Sequence, residues 1–131
     1  MDVVDILRSL HDGHLDAIAL RSRTIVRLRC APLGEASVVF EISGVRDLFA
    51  NNFRQGNIIL SAEVRTSIDQ LDELSIRGLA HSEAEGDIAS YIGRMRESEM
   101  TGSIRYLVLQ CSYGCDLAVA YEGGISVVDG I

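Results

Sequence analysis

The densest group of residues able to do acid–base or metal chemistry is His11-Asp12-Gly13-His14, with Asp16 two positions on. Two imidazoles and two carboxylates can ligate a divalent cation or pass a proton. A small metal- or ligand-dependent enzyme centred on His11, Asp12 and His14 is the enzymatic reading of the chain. The spacing matches no regular metal motif, and the only other histidine, His81, is far away in sequence. The alternative is a polar helix-to-strand turn in which Asp12 caps backbone amides. A few polar residues at a turn are ordinary loop chemistry, so the turn is preferred and no catalytic, metal or cofactor residue is assigned.

Cys111 and Cys115 flank Ser112-Tyr113-Gly114. If that triplet turns a hairpin, the two thiols face each other, as a redox pair or as two metal ligands. Their C-x3-C spacing differs from the C-x2-C zinc knuckle, and Cys30 is the only further thiol. In a reducing compartment buried, reduced thiols are expected. Ser112 lacks the flanking glycines of a nucleophile elbow. Gly123-Gly124 precedes a strand rather than a helix, so it cradles no phosphate. All twelve basic residues are arginine, which excludes a lysine nucleophile, a Schiff base and the GxxxxGK[ST] loop.

Charge is uneven. Residues 1–60 hold seven acids and seven arginines; residues 61–131 hold twelve acids and five arginines, the whole net charge of −7. That argues against phosphate-backbone binding, which needs basic residues. It suits a basic protein partner, with Asp69, Asp72, Glu73, Glu83, Glu85 and Asp87 as candidate contacts; a solvated acidic face is the plainer reading.

The elements that must position these groups read as one α+β domain of 131 residues, 47% hydrophobic. Apolar runs 104–111, 117–121 and 125–128 are joined by short loops, which predicts a meander, with Gly114, Gly123 and Gly124 supplying positive φ. Runs 15–20, 24–30 and 36–42 predict a second meander, with Val26, Leu28 and Cys30 on one face and Arg27 and Arg29 on the other. Residues 3–10 form a short helix that Asp2 caps and Gly13 ends. Residues 43–56 read as a loop with a helical turn, pinned by Phe49 and Phe53. Residues 57–64 read as a strand with Ile58, Leu60, Ala62 and Val64 on one face. Ser67 and Gln70 suggest a capping box for a short helix over 66–74, while 74–79 stays open between helix and strand. The main helix is 82–101: Ser82 and Glu85 fit a capping box, Ile88, Ile92 and Met95 form its stripe, and Gly102 stops it. The expected architecture is antiparallel meanders forming one sheet or a sandwich, with this helix packed across.

No apolar run approaches the ~20 residues of a membrane span. The first residues, MDVVD, lack a basic n-region, so no secretory signal is expected and cytosol is the default compartment.

Leu10-His11-Asp12-Gly13 before an apolar strand, Gly44-Val45, Gly56-Asn57-Ile58-Ile59, and Ser112-Tyr113-Gly114 between apolar strands together resemble small bacterial proteins of immunity-protein-like build. Such proteins neutralise toxins delivered between bacteria. The resemblance implies a cytosolic, non-enzymatic chain that acts through a protein–protein interface, and it supplies no catalytic residue. The strand 125–128, if uncovered, also leaves an edge through which a homodimer is expected.

Overall fold

β-branched alternation sets most of the strands, and two glycines decide how they are joined. A computed structural model describes residues 2–131. In chain order these form α1 (Val3–Arg8), β1 (His14–Leu20), β2 (Ile25–Ala31), β3 (Val38–Ser43), β4 (Val45–Asn51) and β5 (Asn57–Arg65). A 3₁₀ turn (Ile68–Gln70) follows, then α2 (Glu73–Ala80), α3 (Glu85–Met100), β6 (Arg105–Tyr113), β7 (Asp116–Tyr121) and β8 (Ile125–Val128). All strand pairs are antiparallel, in the order β4-β7-β6-β5-β1-β2-β3-β8. The fold is α+β, with one main helix, a short N-terminal helix and a single sheet.

That sheet is bent into two halves. β1–β2–β3 is the meander the alternation predicts, and β8 extends it. β5, β6, β7 and β4 make the other half, and the two meet where β5 pairs with β1 over only His14↔Ile58 and Leu15↔Asn57. On the far side the chain crosses between halves twice, at Gly44 and at Glu122–Gly124. Glu122 N–H donates to Gly44 O (2.8 Å), Gly123 N–H to Ser43 O (3.1 Å), and Ser43 N–H to Gly124 O (3.0 Å). The two crossings touch backbone to backbone. A Cβ on Gly44, whose φ is +66°, would lie 2.5 Å from Gly123 N, and one on Gly123 would lie 2.5 Å from Ser43 O.

This corrects the meander predicted over 104–128. β6 and β7 do form a hairpin, and Gly114 (φ +95°) does turn it. β8, however, pairs with β3 rather than β7, because Gly123 serves close approach at a corner and not a tight turn.

Curling encloses an inner core of Leu15, Leu28, Phe40, Ile42, Leu107 and Leu117 with their neighbours, into which Leu7 of α1 and Leu10 of the turn after it are inserted. The outer face of the β5–β6–β7–β4 half is covered by α2 and α3. Ile68, Leu79, Tyr91 and Met95 pack there on Tyr106, Ala118 and Ala120 in a second core. β7 lies between the two: Leu117, Val119 and Tyr121 face inward, and Ala118 and Ala120 lie under the helices. Its alanines keep the helices close.

Several local expectations change for identifiable reasons. Residues 43–56 hold a strand, β4, not a helical turn. A bulge between Val45 and Asp47, and cover on both faces, give Val45, Leu48 and Phe49 a spacing that imitates a helix. Phe53 lies beyond the strand and is exposed, so it pins nothing. In β5 the register shifts on either side of Ile59, so Ile59 is buried and Leu60 exposed, the reverse of the expected face. The Ser67–Gln70 capping box is present, but it starts only the 3₁₀ turn. Residues 73–80 are helical, capped by Asp72, whose Oδ1 accepts from Ser75 N–H (2.8 Å). The main helix starts at Glu85, so Ser82 is not its N-cap. The Ser82 hydroxyl instead accepts from Ala84 N–H and donates to Asp87 Oδ2. Asp2 occupies the N-cap position of α1, but among the described residues it makes no side-chain bond to the helix. Gly102 (φ +73°) ends α3 as expected.

Candidate functional site

The His11–His14 turn is a seam between α1 and the bulge of β5. Asp12 N–H donates to Ile59 O (2.8 Å) and Ile59 N–H to Gly13 O (2.9 Å). His11 Nδ1 donates to Leu60 O at 2.7 Å; a carbonyl only accepts, so Nδ1 carries the proton. The carbonyl that the bulge withdraws from the ladder is thus satisfied by imidazole. Asp12, not Gly13, takes the left-handed backbone (φ +65°), and its side chain caps no amide among the described residues. Gly13 is needed for another reason, since a Cβ there would lie 2.4 Å from Ala31 O. Asp12 Oδ2 is 3.6 Å from His11 Nε2, and both side chains are exposed. His14 opens β1, opposite Ala31 and Ile58. Among the described residues no three His, Cys, Asp or Glu side chains are grouped to hold a metal ion.

Beside this seam lies a buried asparagine that sequence reasoning missed. Asn57 Oδ1 accepts from Arg54 N–H (2.8 Å) and Cys115 N–H (3.0 Å), and Nδ2 donates to Leu15 O (3.0 Å) and Arg54 O (2.6 Å). One amide therefore ties β1, the β4–β5 loop and the β6–β7 turn together. Gly114 passes so close that a Cβ would lie 2.2 Å from Asn57 Oδ1. The motifs Leu10–Gly13, Gly56–Ile59 and Ser112–Gly114 meet at this end of the molecule. The adjacency of glycine and asparagine at 56–57 was the available signal, but it reads as a loop until the tertiary contacts are known.

The six candidate acids lie on the helical layer, each with an intramolecular partner. Arg77 gathers three: Glu73 Oε1 at 2.7 Å, Glu85 Oε1 at 2.9 Å and Glu83 Oε2 at 3.0 Å. The bond to Glu73, then that to Glu83, pushes its pKa upward. The three carboxylates remain largely in water. Asp69 pairs with Arg96 (2.6 Å), Asp72 caps α2, and Asp87 accepts from Ser82. His81 makes the convergence on Arg77 happen: its left-handed backbone (φ 55°) ends α2 and returns Glu83 and Glu85 toward it. Of the three, only Glu73 lies on the same helix as Arg77, four residues before it.

A groove of about 440 Å³ adjoins this cluster, lined among others by Phe49, Leu74, Arg77, His81 and Glu83. Behind it, Tyr91 Oη donates to Asp47 Oδ2 (3.0 Å) and His81 Nε2 lies 3.9 Å from Asp47 Oδ1. Tyr106 Oη donates to Glu99 Oε2 (2.6 Å), which also accepts from Ile68 N–H (2.7 Å). Burial, reinforced by these carboxylates, pushes both phenols up. No helix among the described residues is long and apolar enough to cross a membrane.

No family model, curated protein or solved structure matches the chain.

Proposed function

We propose that this is a non-enzymatic bacterial protein of the cytoplasm that works by binding another protein, and that a toxin-neutralising immunity protein is the class it represents. The helical layer is the binding face, and the partner is basic. One observation carries the reading: residues 66–103 hold eight acids against three arginines, most of the net charge of −7. Glu73, Glu83 and Glu85 stand in water there around a single Arg77, beside half-exposed Leu74. Complementary charge on a partner raises encounter rates and makes them fall with salt. β8 ends the sheet with an open outer edge, so the proposal includes a homodimer through that edge, which light scattering at micromolar concentration checks.

The test is a pull-down from the source lysate, followed by association rates of the recovered partner at two salt concentrations. Glu83→Gln with Glu85→Gln leaves Arg77 its bond to Glu73 and removes two charges. The double variant should associate more slowly and with a flatter salt dependence. Equal rates and slopes would mean the acids serve only solubility.

A further inference from the structure

We propose that Cys111 and Cys115 are an oxidisable pair that closes to a disulfide across the tip of the β6–β7 hairpin. The register of β6 on β7 is constant from Arg105↔Tyr121 to Leu109↔Leu117, where the paired ladder ends, and the same register continued two residues toward the tip brings Cys111 opposite Cys115, the residue just before β7. Leu109 and Leu117 both face the inner core, and a strand returns to the same face after two residues. Both sulfurs therefore point inward, and both cysteines pack with that core. The backbone amides here bond elsewhere: Cys111 N–H to Asp116 Oδ1 (3.1 Å) and Cys115 N–H to Asn57 Oδ1 (3.0 Å). Residues opposite one another on antiparallel strands have Cα atoms about 4.5–5.5 Å apart, within the roughly 4.4–6.8 Å that disulfides span. Both thiols are free in this structure, and Cys115 Sγ–H rests on Asp116 O at 3.4 Å, a weak bond that closure replaces.

The oxidant is a low-molecular-weight disulfide such as oxidised glutathione. Cys111 is the more accessible thiol and attacks first, as thiolate, on one sulfur of the oxidant. The oxidant's S–S bond breaks, a mixed disulfide forms and one small thiolate leaves. Cys115 thiolate then attacks Cys111 Sγ, expelling the second. The protein loses two protons and two electrons, and the oxidant becomes two thiols. Burial, with Cys115 next, pushes Cys111 up to about 12. Closure is therefore slow at neutral pH and accelerates about tenfold per pH unit as the thiolate fraction grows. The bond would lock the Ser112–Gly114 tip, where exposed Tyr113 lies under the Arg54 guanidinium.

The chain contains no lysine and its last arginine is Arg105. Cleavage after arginine therefore leaves both cysteines in peptide 106–131 and Cys30 in peptide 30–46. Full-length protein is incubated with oxidised glutathione at about pH 8, denatured, alkylated and digested. Peptide 106–131 should be lighter by two hydrogens and resist alkylation, with Cys30 fully alkylated. Cys30→Ala should close the same pair, and Cys115→Ser should stop at a glutathione adduct on Cys111. Three alkylatable thiols, a lasting adduct on wild-type Cys111, or a cross-link between 30–46 and 106–131 would each overturn the proposal.

Discussion

The two cores share β7 but are closed by different kinds of contact. Around the inner core the closing contacts are backbone ones: the paired crossings at Gly44 and Gly123, the Gly13 approach to Ala31, and the Asn57 amide that joins three segments. The outer core is closed by an apolar helix stripe, with side-chain pairs along its rim that are mostly in water. Backbone contacts fix shape and tolerate no added atom. Exposed side-chain pairs contribute little to stability and leave the surface free to vary. The difference separates the part of the molecule that specifies the fold from the part free to carry a binding surface.

The strongest way to break this contrast is Asn57→Ala. It strips hydrogen-bond partners from Leu15 O, Arg54 N, Arg54 O and Cys115 N at a buried site. Each buried group left unpaired costs about 1–3 kcal/mol, and some will reach water, so a loss of roughly 3–5 kcal/mol is expected. That is a large fraction of a typical domain's stability. Urea midpoints measure it, and a shift worth less than ~1 kcal/mol would show that the amide does not hold this end together.

Glycine-to-alanine substitutions sharpen the comparison by reversing sign. Gly44→Ala combines a left-handed backbone with a Cβ 2.5 Å from Gly123 N, so it should destabilise by about 1–3 kcal/mol. Gly93→Ala lies mid-helix in α3 with open space around the new methyl, so it should stabilise by ~0.5–1 kcal/mol. A thermal midpoint that does not fall for Gly44→Ala would contradict the assignment of Gly44 to a tight corner, and one that does not rise for Gly93→Ala would contradict the open helical site.

Alkaline pH probes both cores in turn. Cys30 lies in the inner core, and burial, followed by the charge of Asp16, pushes its thiol from 9.0 up to about 12. Tyr91 and Tyr106 belong to the outer core and are also raised. A raised acid stays protonated in the folded chain while its unfolded counterpart ionises. Its contribution is fully present below the unfolded pKa and is lost as pH climbs toward the folded one. Stability should therefore hold from neutrality to the thiol's ordinary 9.0, then fall, and fall faster above the phenols' ordinary 10.0. Cys30→Ala should soften the first part of the decline and Tyr91→Phe the second, as read from denaturant midpoints across pH.

How far the sequence reached follows the same division. Strands with one buried face were readable: Val26, Leu28 and Cys30 alternate with Arg27 and Arg29 because one side is core and the other water. The α3 stripe was readable for the matching helical reason: of Ile88, Ile92 and Met95, the first and last are buried and Ile92 is half-buried, with Tyr91 buried beside them. β4 was not, since burial on both faces and a bulge erase the period of two. The corner was not, because nothing local distinguishes a glycine that turns a hairpin from one that lets two backbones touch. The His11–His14 turn showed its residue types but not its partner, since Leu60 is offered to His11 only once β5 has bulged. The acids were correctly placed on the surface, yet their gathering on Arg77 depends on His81 taking a left-handed backbone that no residue-type rule gives it.

The smallest expected effect is at Arg77, and it tests whether the outer rim is electrostatic. Its guanidinium holds Glu73, Glu83 and Glu85 within 3.0 Å, and all three carboxylates are mostly exposed. Arg77→Gln removes the one cation and leaves three like charges facing one another across the α2–α3 connection. At low salt the variant should be less stable than wild type, by less than any inner-core substitution above, because water screens each pair. At about 1 M salt the Debye length shrinks to ~3 Å, repulsion among the carboxylates fades, and the two midpoints should converge. A gap that survives high salt would mean that the Arg77 stem holds α2 by packing against the groove wall. In that case the rim would share the shape-fixing role of the inner core.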